Sequence, residues 1–82
     1  MTMLKAETII QGINLGSREL AWALHAGGYE GDRVSERKFI GIDGTNFVYT
    51  INYPDDDQPE GVGTAVVYVE WDEAQQKFIA DY

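Results

Sequence analysis

Apolar residues in the first third of the chain recur at helical spacing. Leu4, Ile9, Ile10, Ile13, Leu20 and Leu24 fall three, four and seven apart, bridged by Ala6, Gly16, Ser17 and Ala21, as one buried helix face requires. Gly16 suits the end of one helix, and the Ser17 hydroxyl can accept a free N–H at the start of the next. The pattern predicts two helices, from about Met3 to Asn14 and from Arg18 to Ala26. The segment Thr8 to Leu15 also admits a strand, because Ile9, Ile13 and Leu15 alternate with polar neighbours, although Ile10 and Gly12 fit that pattern less well. Gly27 and Gly28 end the second helix, one of them in the left-handed conformation that closes its last carbonyls.

After a polar linker from Tyr29 to Glu36 the period changes from 3.6 to 2. Lys38 to Ile42 and Asn46 to Tyr53 flank Asp43-Gly44, a dipeptide favoured by type I′ hairpin turns because it tolerates positive φ. With a two-residue turn, Ile42 faces Thr45 and Ile40 faces Phe47. That register puts Ile40, Ile42, Phe47, Tyr49, Ile51 and Tyr53 on one face. The stretch from Pro54 to Gly63 is rich in breakers and acids and reads as an exposed loop. Thr64 to Trp71 and Gln76 to Tyr82 then form a second hairpin through Asp72-Glu73-Ala74-Gln75, with Ala65, Val67, Val69 and Trp71 inward.

The order α-α-β-β-β-β predicts an α+β class: one domain over residues 1–82, with two N-terminal helices packed on a four-stranded antiparallel meander of two hairpins. The other face of that sheet carries Phe39, Val48, Val66, Tyr68 and Ile79. A solvated face normally alternates to polar residues, so these five are a candidate self-association face, and a homodimer is one expectation.

Composition narrows the chemistry. With no cysteine among 82 residues, disulfides, thiolate nucleophiles and cysteine-based metal sites are excluded. Glu7, Gln11 and Asn14 interrupt any signal-peptide h-region, and no apolar run approaches the ~18 residues of a membrane helix, so a soluble, cytoplasmic protein without a membrane partner is expected. Charge is asymmetric. Through Gly41 five bases balance five acids, whereas from Ile42 onward nine acids face Lys77 alone, which accounts for the net charge of −8. Such a field repels nucleic acid and attracts basic protein surfaces.

Candidate catalytic groups are sparse. The single histidine, His25, ends the second helix, where a cation is favoured by the dipole, and Ser17 has a capping role, so no triad is predicted. The run Asp55-Asp56-Asp57 lacks the alternating ligands and distant glutamate of a calcium loop. Gly41 to Gly44 and Gly61 to Gly63 lack the following helix and lysine of a phosphate loop. No enzyme activity, cofactor or metal is therefore expected. Two helices before a hairpin is also the order of a winged helix, with Arg18, Arg33, Arg37 and Lys38 as phosphate contacts, but Arg18 to Ala26 holds one base and Glu19, and the rest of the charge opposes a duplex.

What remains is protein binding. Aromatic residues and carboxylates occur together at Tyr53, Asp55, Asp56, Asp57 and Glu60 and again at Trp71, Asp72 and Glu73, and anchors rimmed by charge are what interfaces use. The expected function is a non-enzymatic acidic module engaging a basic, nucleic-acid-handling protein, in the manner of a DNA-mimicking inhibitor, an immunity protein or a phage product. The alternative is a self-associating structural or mobile-element cassette domain. Because the apolar positions supply the only core, the melting temperature measured with chelator and with added calcium should agree; a rise of many degrees with calcium would contradict this reading of the aspartates.

Overall fold

The computed structural model describes residues 4–29 and 34–82. The proposed helical residue Met3 and the linker charges Glu30, Asp32 and Arg33 lie outside them. Helix α1 spans Ala6–Ile13 and α2 spans Ser17–Ala26. Thr8 to Ile13 is thus helical rather than extended. Eight residues make barely two turns, too few to persist in water alone, so α1 depends on packing through its buried Thr8 and Gly12.

The start of α2 differs from expectation. Gly16, not Ser17, takes the N-cap position, its carbonyl accepting the Leu20 N–H at 2.9 Å, and no side chain caps the helix. The other end follows the glycine rule. Gly28 sits at φ 96°, the Tyr29 N–H reaches the Leu24 carbonyl and the Gly28 N–H that of His25, both at 3.0 Å, the paired bonds of a Schellman motif.

Strands β1 (Glu36–Asp43), β2 (Asn46–Pro54), β3 (Val62–Asp72) and β4 (Lys77–Asp81) form one antiparallel sheet in chain order. The α+β class, with helices N-terminal to a four-stranded meander, is the architecture observed. Its first turn is one residue later than expected. Asp43 pairs with Asn46, leaving Gly44-Thr45 as the central pair; Gly44 has φ 64° and Thr45 does not have positive φ, so glycine stands first, as in type II′ rather than type I′ turns. The second turn is also shifted, since Asp72 pairs with Lys77 and Gln76 adopts φ 55°.

A β-bulge corrects the predicted faces. Phe39 pairs with Tyr49 and Gly41 with Val48, so Ile40 is the extra residue on β1, and Ile42 pairs with Phe47. Phe39 therefore belongs to the core face, its ring 5.3 Å from that of Tyr49, and not to the opposite one. Ile40, expected inside, is 55% exposed; Ile42 keeps the core face but is 54% exposed. The other four residues assigned to the second face, Val48, Val66, Tyr68 and Ile79, do lie there, opposite the buried Val67, Val69 and Ala80 along their strands.

The core forms between the helices and β2–β4. Leu15, Leu20, Ala23 and Leu24 meet Phe47, Tyr49, Ile51, Val67, Val69 and Ala80, all buried. Phe47 comes so near α1 that any side chain at Gly12 would overlap its ring, and Tyr53 lies over its cross-strand neighbour Gly63 in the same way. One polar bridge crosses this layer. The Tyr49 hydroxyl donates to the Gly12 carbonyl at 2.5 Å and accepts the Leu15 N–H at 3.0 Å.

Burial pushes the Tyr49 phenol above its ordinary 10.0, with the Leu15 bond and Arg37 pulling it back more weakly. A raised pKa favours the neutral phenol in the fold, so this contribution is complete below about pH 10 and lost as pH rises through the folded value. Tyr49→Phe should cost about 1–3 kcal/mol in denaturant melts, because it leaves a buried N–H and carbonyl without partners. The alkaline loss of stability above pH 10 should shrink in the same variant.

Candidate functional site

The two acidic–aromatic groups singled out in the sequence are held apart by β3. Loop 55–61 precedes that strand and turn 73–76 follows it, and 11 residues of strand separate them by roughly 33 Å. Asp55, Asp56, Asp57, Glu60 and Tyr53 thus stand at one pole of a molecule measuring 44 × 22 × 18 Å, and Trp71, Asp72 and Glu73 stand at the other. At physiological salt fields decay over about 8 Å, so the poles act separately.

The first pole is largely self-contained. The Asp55 carboxylate accepts the Asp57 N–H at 3.0 Å, the Asp55 N–H donates to the Gly61 carbonyl at 2.9 Å, and Gly61 turns the chain at φ 74°. The aspartate at the head of the run therefore shapes its own loop. Tyr53 is half-buried against the core rather than free to anchor a partner. Beside it Tyr82 meets Tyr29 edge to face at 4.9 Å, and burial, with the Tyr53 and Tyr29 phenols nearby, raises the Tyr82 pKa above 10.0.

The second pole borders a groove. Ile10 from α1, Trp22 and His25 from α2, and Trp71, Lys77 and Phe78 from the β3–β4 hairpin line an open depression of about 910 Å³, with Glu19 on its wall. Its exposed aromatic residue is Trp22, at 66%, with Ile10 beside it at 59%. Trp22 meets His25 edge to face at 6.4 Å, and Trp71 is braced against Phe78 at 4.8 Å. The Trp71 indole N–H donates to the Glu73 carboxylate at 2.7 Å, Gln76 donates to the same carboxylate at 3.1 Å, and Asp72 accepts both N–H groups of Gln75 at 3.1 Å. The indole is thus fixed by the carboxylates that follow it.

Sequence reading identified Trp71, Asp72 and Glu73 but not Trp22 or Ile10. The spacing held a signal for both. Leu20 and Leu24 are one turn apart and buried, which turns Trp22, two residues from each, to the opposite side of α2; Ile9 and Ile13 similarly leave Ile10 off the core-facing stripe. Among the described residues no three His, Asp or Glu side chains come together as a metal site, and no helix is long and apolar enough to cross a membrane.

The Trp71 indole, followed by the Gln76 amide, holds the Glu73 carboxyl below its ordinary 4.5, with Lys5 adding a weaker pull and slight desolvation opposing. The charged form is favoured in the fold, so the contact is complete above about pH 4.5 and breaks as pH falls through the lowered value. In a Trp22→Phe background, Trp71 emission should titrate with a midpoint under 4.5, and Glu73→Gln should abolish that step.

No family model, curated protein or solved structure matches the chain.

Proposed function

We propose that the protein is a non-enzymatic binding module that seats a basic protein segment, with apolar anchors, in the groove between its helices and the β3–β4 turn. The observation that carries this reading is the exposure of Trp22 and Ile10 in one depression with Trp71. An indole left 66% exposed on a helix of under three turns gains little from burial there, and tryptophan is among the residues most enriched at binding hot spots. The rim selects the partner's sign. Glu19 and Lys77 balance on the groove wall, Asp72 and Glu73 stand in the adjoining turn, and the molecule carries −8 overall, so a basic segment is drawn in and an acidic one repelled.

This keeps Trp71 from the sequence expectation and adds Trp22 and Ile10 in place of Tyr53. Tyr53 and loop 55–61, at the far pole, stay out of the contact, which falls to Trp22, Ile10 and Trp71. A basic, nucleic-acid-handling protein fits the chemistry, as an inhibitor or immunity-type protein would require. The winged-helix alternative is less favoured: α2 turns Leu20, Ala23 and Leu24 into the core and shows Arg18, Glu19, Trp22 and His25 outward, a surface with an indole at its centre and one acid against one permanent base.

Titration with a library of Lys/Arg-rich amphipathic peptides, followed by tryptophan emission, tests the reading. Trp22→Ala should weaken binding by about 30-fold, close to 2 kcal/mol, with an unchanged circular dichroism spectrum. Asp72→Asn with Glu73→Gln should slow association at low salt. Equal binding of acidic peptides, or wild-type affinity in Trp22→Ala, would overturn the proposal; loss confined to an Asp55→Asn, Asp56→Asn, Asp57→Asn variant would move the contact to the other pole.

A further inference from the structure

Strand β1 is the part of the sheet that the helices leave bare. It lies at the sheet edge, pairs only with β2, and has no extensive helix contact, whereas β4 at the other edge packs along α2. Ile40 and Ile42 are more than half exposed on it. An eight-residue edge with an uncharged centre, Phe39 to Ile42, presents unpaired N–H and C=O groups suited to another strand.

We propose that a second copy of this chain occupies that edge, β1 pairing with β1 in antiparallel fashion about a two-fold axis normal to the sheet. Charge places the contact here. Glu36 and Asp43 balance Arg37 and Lys38, so β1 is neutral in a molecule of net charge −8 whose acidic turns lie elsewhere. Two copies meet with the least repulsion along this strand. Antiparallel pairing can oppose a base to the partner's acid, whereas in-register parallel pairing would align Arg37 and Lys38 with themselves.

The bulge then selects one register. Lys38 and Asp43 share the open face, as partners of Thr50 and Asn46, while Phe39 and Ile42 share the helix-bearing face, as partners of Tyr49 and Phe47. Antiparallel pairing that sets Lys38 against the partner's Asp43 also sets Phe39 against the partner's Ile42, and symmetry repeats both contacts. A slip of one residue would oppose Lys38 to the partner's Ile42, which points to the other face. Bulges commonly discourage edge pairing; this one sits at the two-fold axis, leaving the ladder to form on either side of it. Pairing about a two-fold axis uses the β1 edge of both copies, so assembly through this strand closes at two. The contact is narrow, below about 1,200 Å² in total, which implies a dimer of micromolar rather than nanomolar affinity.

Sedimentation equilibrium up to about 500 µM should fit a monomer–dimer equilibrium with Kd in the range of about 10–200 µM. Lys38→Glu alone and Asp43→Lys alone should each weaken it at least tenfold, since each creates two like-charge contacts. An equimolar mixture of the two variants should regain the wild-type affinity as a heterodimer, and circular dichroism checks that both remain folded. A wild-type protein monomeric at about 500 µM, a mixture no tighter than its components, or open-ended oligomers would overturn the inference. So would a dimer indifferent to Lys38→Glu but lost in Val66→Ser with Tyr68→Ser, which would place the contact on the open face of the sheet.

Discussion

The helical layer is tied to the sheet by the Tyr49 hydroxyl. From the middle of β2 it reaches the last turn of α1 and the link to α2, donating to the Gly12 carbonyl and accepting the Leu15 N–H. The Gly12 carbonyl is one that the end of α1 leaves without an intrahelical partner, the Leu15 N–H belongs to the link between the helices, and both are taken up away from water. Helices of 8 and 10 residues cannot hold themselves together in solution, so the path of the chain between them is fixed by this bridge and by Phe47 lying against Gly12. Everything that follows, including the side of α2 on which Trp22 emerges, depends on that placement.

The helices lie on part of the sheet only, and the candidate surfaces are what they leave open. They cover β2 to β4 and leave β1 open, and between α2 and the β3–β4 turn they leave the groove with Trp22, Ile10 and Trp71. Charge is distributed to match: the acids crowd the two turns that bound β3, the groove borders one of those turns, and β1 remains neutral. The proposed binding of a basic segment and the proposed pairing of two copies thus use different surfaces and do not compete.

The sequence by itself determined the element order, the class, the αL cap at Gly27-Gly28 and the alternation of Phe47, Tyr49, Ile51 and Val67, Val69, because each is a local matter of period or of glycine conformation. It also showed Trp71, Asp72 and Glu73 side by side, being adjacent in the chain. Tertiary structure decided the rest. One bulged residue exchanged Phe39 for Ile40 on the core face, which alternation cannot reveal because an extra residue leaves the residue types unchanged. It separated Asp55-Asp56-Asp57 from Asp72-Glu73 by the length of a strand, and it left Trp22 and Ile10 in water beside Trp71. Periodicity states that an element has an apolar side; whether that side is covered depends on how far its neighbours extend, which only the packed chain settles.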